Sequence, residues 1–206
     1  MGTPGWLPYV LDEQRACRED AVVFDQTSFS KFVASKVATR SAVLQRLCAN
    51  EIDVAIGRMV YTAMLNARGG LRERSHHRAD RRRRVLHHHR LGANDATSHG
   101  SSARYDADEH AALVDVTNAH SVISVMGAQA EALLNRVSPD DLSKTGMPFS
   151  HDEDDRQSAT RAFAPRAMSY VGGPGYELYV STDQCVTLYE ALWSVGGELG
   201  LRDAGY

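Results

Sequence analysis

With 206 residues, 43% of them hydrophobic and 24% charged, the chain has apolar content for one sizeable globular domain, which excludes disorder along its whole length. No run reaches the ~18 apolar residues of a membrane span and no signal peptide opens the chain; no membrane partner is expected. The net charge of −3 conceals an asymmetry, because residues 71–104 carry +6 and the remainder −9.

The elements are expected in the following order. Residues 12–23 read as a helix capped by Asp12, with Ala16, Ala21, Val22 and Val23 as its apolar stripe. A second helix fits 41–49, where Val43, Leu44, Leu47 and Cys48 fall at helical spacing. Residues 58–65 read as a strand that runs into a turn at Asn66-Ala67-Arg68-Gly69-Gly70, since Asn and Gly tolerate positive φ. From 71 to 104 the texture changes. Nine arginines and six of the nine histidines stand there against three acids, with Leu71, Val85, Leu86 and Leu91 the large apolar residues and no aromatic. Such a segment is expected to be disordered, because it buries too little surface to offset its ordering entropy. Strands follow at 113–117 and 121–126, a helix at 128–136 and a second helix start at Ser138-Pro139. A hairpin of 166–171 and 176–180 turns at Gly172-Gly173-Pro174-Gly175, and a final helix runs to about Val195. Short strands mixed with helices predict an α+β fold of antiparallel sheets with packed helices.

Cys17, Cys48 and Cys185 are odd in number and widely spaced, which points to reduced thiols in a cytoplasmic protein. His87–His89 alternate faces on a strand and have no second cluster to complete four ligands, so no metal site is expected. The arginine runs of 71–104 are the pattern of a basic nucleic-acid-binding module. They lack the interleaved aromatics that stack bases, and no nucleic-acid partner is expected.

The segment Ala21-Val22-Val23-Phe24-Asp25-Gln26-Thr27-Ser28-Phe29-Ser30-Lys31-Phe32 resembles the opening of the T-protein-like, folate-binding aminomethyltransferase domain found in dimethylglycine and sarcosine dehydrogenases. Val43–Asn50, Gly57–Gly70, Leu113–Gly127, Ser138–Ser143, Arg166–Val180 and Gly200–Tyr206 continue the match in the same order. The resemblance implies a partial T-protein-like folate-binding domain over 1–206, with further family sequence downstream of Tyr206. It implies tetrahydrofolate as cofactor and transfer of a one-carbon unit made from an N-methyl amine. A flavin-dependent oxidase domain, fused or separate, would carry the FAD. It also implies Tyr61 and Tyr170 as rings near the pterin.

The chain departs from the family pattern at two carboxylates. The family Asp four residues after a Gly-Gly pair falls on Arg74, and a cation there repels an iminium instead of stabilising it. The carboxylate expected after Tyr170-Val171-Gly172 falls on Gly173. Glu177 is four residues further along a strand, about 13 Å away, and cannot replace it. No intact catalytic residue is therefore expected. A shifted reading frame accounts for the gap. Arg74-Ser75-His76-His77, with codons CGA TCT CAC CAT, read one base later gives Asp-Leu-Thr-Ile. Leu86–Arg90 likewise gives Ser-Ile-Ile-Thr-Gly, and 35–41 and 151–156 also convert toward family-like text. Beside the inactive-enzyme reading stands a non-catalytic folate-binding or regulatory relative.

Overall fold

The run Val22-Val23-Phe24 is β-branched and aromatic, suited to a buried strand, and it forms one in the computed structural model. The structure describes residues 2–34, 45–46, 48–66, 68–79, 85–89, 113–151 and 163–205. They divide between two units. One comprises Met1–Thr27, Ser121–Glu153 and Ser158–Tyr206; the other comprises Ser28–His120 and Asp154–Gln157.

The first unit holds α1 (Leu7–Glu19), β1 (Val22–Asp25), β7 (His120–Met126), α2 (Ala130–Val137), β8 (Ala164–Ala167), β9 (Gly175–Ser181), α3 (Cys185–Gly196) and β10 (Arg202–Asp203). Its sheet runs β10-β1-β7-β9-β8, with β10 parallel to β1 and the pairs β1/β7 and β8/β9 antiparallel. One sheet face packs Val23, Ile123, Val125, Leu178 and Val180 against Leu133 and Leu134 of α2 and Leu188 and Leu192 of α3. The opposite face places Val22, Phe24 and Met126 against Ala16 and Cys17 of α1.

The first helix lies earlier than expected. It begins at Leu7, with proline in its first turn, and ends at Glu19. Val22 and Val23 leave it because β1 is hydrogen-bonded on both edges, a tertiary gain that overrides helical spacing. Asp12 caps nothing and pairs with Arg202 of β10. Ser138 starts no helix either. It ends α2, its N–H bonding Leu134 O at 2.9 Å, while its hydroxyl accepts from the Asp140 N–H at 3.2 Å.

Gly127 connects β7 to α2 at φ +112, where an added Cβ collides with the Asp20 carbonyl. Gly127→Ala is therefore expected to cost about 2 kcal/mol or more, measured as a drop in the urea midpoint.

The second unit is one antiparallel sheet in the order β3-β4-β5-β2-β6, formed by β2 (Ser30–Ala34), β3 (Met59–Leu65), β4 (Leu71–Ala79), β5 (Val85–His89) and β6 (Leu113–Asp115). The turn between β3 and β4 forms as expected. Asn66 Oδ1 accepts from Arg68 N–H at 2.9 Å and Gly70 N–H at 3.0 Å, and Gly69 sits at φ +75. The expectation of disorder from Leu71 onward does not hold at 71–79 or 85–89, which are strands. In Leu-Arg-Glu-Arg-Ser-His-His-Arg-Ala every even-numbered residue is basic, a period of two that a net-charge argument ignores. Residues 80–84 and 90–104 of that segment lie outside the described residues. So does most of the expected helix at 41–49, of which Gln45 and Arg46 are helical.

Candidate functional site

Period-two geometry decides which residues share a face of the β3–β4 hairpin. Tyr61 is the Cα partner of His76, and Ala63 that of Arg74. Positions 61, 63, 74 and 76 therefore belong to one face. Tyr61 is 53% exposed, and its ring lies 4.7 Å from the His76 imidazole at an interplanar angle of 39°. The flank of β3 is closed by residues 48–50. Cys48 bridges Met64, Ala49 N–H bonds Ala63 O at 2.9 Å, and Asn50 N–H bonds the Thr62 hydroxyl at 2.9 Å. Tyr61 thus presents an aromatic surface on a well-paired strand.

The opposite face holds a group that the sequence does not reveal. His77 Nε2 lies 3.1 Å from Cys48 Sγ and 3.1 Å from the Ser75 hydroxyl, all three buried. A thiol beside an imidazole is the geometry of nucleophilic catalysis. Burial, however, pushes the Cys48 thiol up to about 12, so it stays protonated and inert at neutral pH. The pair is structural. Its sequence separation of 29 residues, across an unremarkable Cys and a His in a basic run, left no signal to find it by.

The linkage follows from the sign of that shift. The unfolded thiol ionises near 9.0 and the folded one near 12, so the stabilisation is complete below pH 9 and is lost as pH rises through that window. Between pH 8 and 10 the wild-type chain should lose about 1.4 kcal/mol more than Cys48→Ala. Urea midpoints of both at the two pH values measure it.

Tyr170 belongs to the other unit, in the loop between β8 and β9, and is 71% exposed. The loop is tied down at several points. The Ser169 hydroxyl accepts from Gly172 N–H at 2.9 Å, Arg18 donates to Val171 O at 3.1 Å, and Gly127 N–H bonds Pro174 O at 3.0 Å. Gly172 adopts φ +80. Glu177 follows on β9, buried and engaged. It accepts from the Tyr179 hydroxyl at 2.9 Å, and burial pushes its carboxyl up against the opposing pull of Tyr179 and Arg166.

Residues 3–206 match the model of the GCVT N-terminal domain family. The chain belongs to that family. It is 35% identical over its whole length to 4-methylaminobutanoate oxidase (formaldehyde-forming) of Paenarthrobacter nicotinovorans, covering 24% of that protein. It is 31% identical over 96% of its length to human mitochondrial sarcosine dehydrogenase, and 27% identical over 98% to the mouse mitochondrial pyruvate dehydrogenase phosphatase regulatory subunit, covering 23% of each. The chain thus spans about a quarter of the length of these relatives. Among solved structures, the glycine cleavage system aminomethyltransferase T from Bartonella henselae superposes with a TM-score of 0.79 at 18% identity, over 95% of this chain and 51% of that one. The α+β, antiparallel T-protein-like fold expected from the residues is the fold of the GCVT family.

This is a family of tetrahydrofolate-dependent aminomethyl transfer enzymes, and the residues present fit that cofactor in part. The exposed Tyr61 ring supplies a stacking surface for a flat heterocycle. The two positions at which the resemblance leads one to expect carboxylates hold Arg74 and Gly173. Glu177 of β9 is buried and accepts from the Tyr179 hydroxyl at 2.9 Å. Among the described residues no three His, Cys, Asp or Glu side chains gather as a metal site, and no helix is long and apolar enough to cross a membrane.

Proposed function

We propose that this chain binds a reduced folate, with the exposed Tyr61 ring as a surface for the pterin, and does not complete the one-carbon transfer of its family. The observation that carries the reading is position 74. By register it shares the face of the Tyr61–His76 pair, where a carboxylate is needed to hold a proton and offset a cationic intermediate, and it is arginine. A parent with intact carboxylates would form methylene-tetrahydrofolate from the one-carbon unit released when a cytoplasmic flavin-dependent oxidase, fused or separate, demethylates an N-methyl amine. The FAD belongs to that oxidase.

Calorimetric titration with 5-formyltetrahydrofolate, run beside an assay for methylene-tetrahydrofolate formation from formaldehyde, tests the reading. Saturable binding with a rate at the uncatalysed background is expected. Turnover above background sinks the inactive reading, and absence of binding sinks the folate reading. A regulatory role is favoured by one finding, the 27% identity to a phosphatase regulatory subunit. It predicts binding without turnover that survives restoration of the carboxylates.

A further inference from the structure

The basic segment that begins at Leu71 contains no aromatic residue, and on that ground the sequence argues against a nucleic-acid partner. Strand pairing removes the ground. Tyr61 of β3 is the Cα partner of His76 of β4, and its ring lies 4.7 Å from the imidazole. The fold thus sets an aromatic ring within the basic row that the chain order keeps apart from it.

Burial fixes which face the row occupies. Ser75 and His77 are buried, so the alternation of a strand gives positions 74, 76 and 78 to the opposite face, where Tyr61 is 53% exposed. Those positions are Arg, His and Arg, and their partners on β3 are Ala63, Tyr61 and Met59, with no acid among them. Arg72 falls at the register shift beside Met64 and Leu65 and stands outside the row. Positions 74 and 78 are about 13 Å apart along the strand, with the Tyr61–His76 pair midway. Positive charge is also local to this segment, since residues 71–104 carry +6 and the remainder −9.

Cation, stacking ring and second cation in line suit a flexible chain that repeats a phosphate and a flat base. A duplex hides the faces of its bases, and a simple polyanion has none. We propose that the Tyr61 face of the β3–β4 hairpin binds single-stranded nucleic acid, with an unpaired base on Tyr61 and neighbouring phosphates at positions 74 and 78. The site goes beyond the folate reading, although both use Tyr61, and it belongs to this polypeptide whatever the history of its gene.

Fluorescence anisotropy of a labelled oligodeoxythymidine of about twelve nucleotides, titrated with the full chain in the absence of folate, tests the site. Saturable binding is expected, with log K falling against log salt at a slope of about −1.4 for two phosphates. A duplex of the same length should bind at least about fivefold more weakly. Tyr61→Ala should weaken binding about tenfold, while Tyr61→Phe stays within about twofold because the ring, not the hydroxyl, does the stacking. Arg78→Gln should flatten the slope by about 0.7. Equal affinity for the duplex or for inorganic polyphosphate marks plain charge attraction and overturns the proposal. So does a Tyr61→Ala chain that binds as wild type, a Tyr61→Phe chain as weak as Tyr61→Ala, or an unchanged slope in Arg78→Gln. Failure to bind 5-formyltetrahydrofolate bears only on the folate reading, and failure to bind the oligonucleotide only on this one.

Discussion

Arg74→Asp combined with Gly173→Glu should give a chain that forms methylene-tetrahydrofolate at least about 100-fold faster than wild type, because it restores an acid–base carboxylate and a charge complementary to the intermediate. The first change alters the local charge by two units. At ~4 Å and the effective dielectric of a protein surface, each unit charge is worth about 4 kcal/mol of interaction, enough to reverse the site's preference for a cationic intermediate. The hairpin should accept the substitution without rebuilding, since position 74 already shares the face of Tyr61.

The second change fits the loop as it stands. Gly173 has no positive φ, and a Cβ there meets Arg18 Nη1 at an ordinary 3.4 Å. Its neighbour Gly172, at φ +80, would not tolerate a side chain so readily. Progress of the tetrahydrofolate–formaldehyde reaction, corrected for the spontaneous rate, measures the effect. Arg74→Ala with Gly173→Glu is the control, expected to bind the cofactor and remain slow. A double variant that binds folate yet runs at background would leave the regulatory reading in possession of the chain.

Replacing Arg74-Ser75-His76-His77 by Asp-Leu-Thr-Ile should stabilise the protein by about 2–4 kcal/mol, allowing for some overpacking of the two added apolar side chains. The reason lies in the alternation of β4. Ser75 is 1% exposed and His77 2%, whereas His76 is half-buried beside Tyr61. The shifted frame supplies Leu, Thr and Ile at those positions in turn. It thus delivers apolar side chains where the strand is buried, a polar one where it is half-exposed, and the missing carboxylate at 74. A chance shift has no reason to satisfy a burial pattern of period two. Urea midpoints of the two proteins decide the point, and an unchanged or lower midpoint counts against the frame account. The matching observation on the gene is resequencing across codons 30–165, where bases that restore the frame are expected.

Much of the fold was legible because its signals are local. The Asn66–Gly70 turn carries its own hydrogen-bond acceptor and glycine, and α2 and α3 carry helical spacing. The hairpin around Gly172–Gly175 marks itself by composition. Legibility failed where a partner distant in sequence decided the outcome. Val22 and Val23 fit a helical stripe until β7 and β10 are placed on either side of them. Ser138 has the form of a helix start until its own N–H is found capping the preceding helix.

The candidate site divides in the same way. The proposed roles of Tyr61 and Tyr170 and the proposed departures at Arg74 and Gly173 rest on motif order, since each is defined by its neighbours in the chain. The sequence by itself determined the family and the antiparallel α+β class. The tertiary structure alone decided that β4 and β5 pair despite their charge, because backbone hydrogen bonds in a sheet do not depend on side-chain type. It alone decided that Cys48 meets His77 and that Glu177 is committed to Tyr179 and Arg166. Those contacts depend on strand register, and register follows from which face of each strand is buried, a quantity that no single segment of the chain contains.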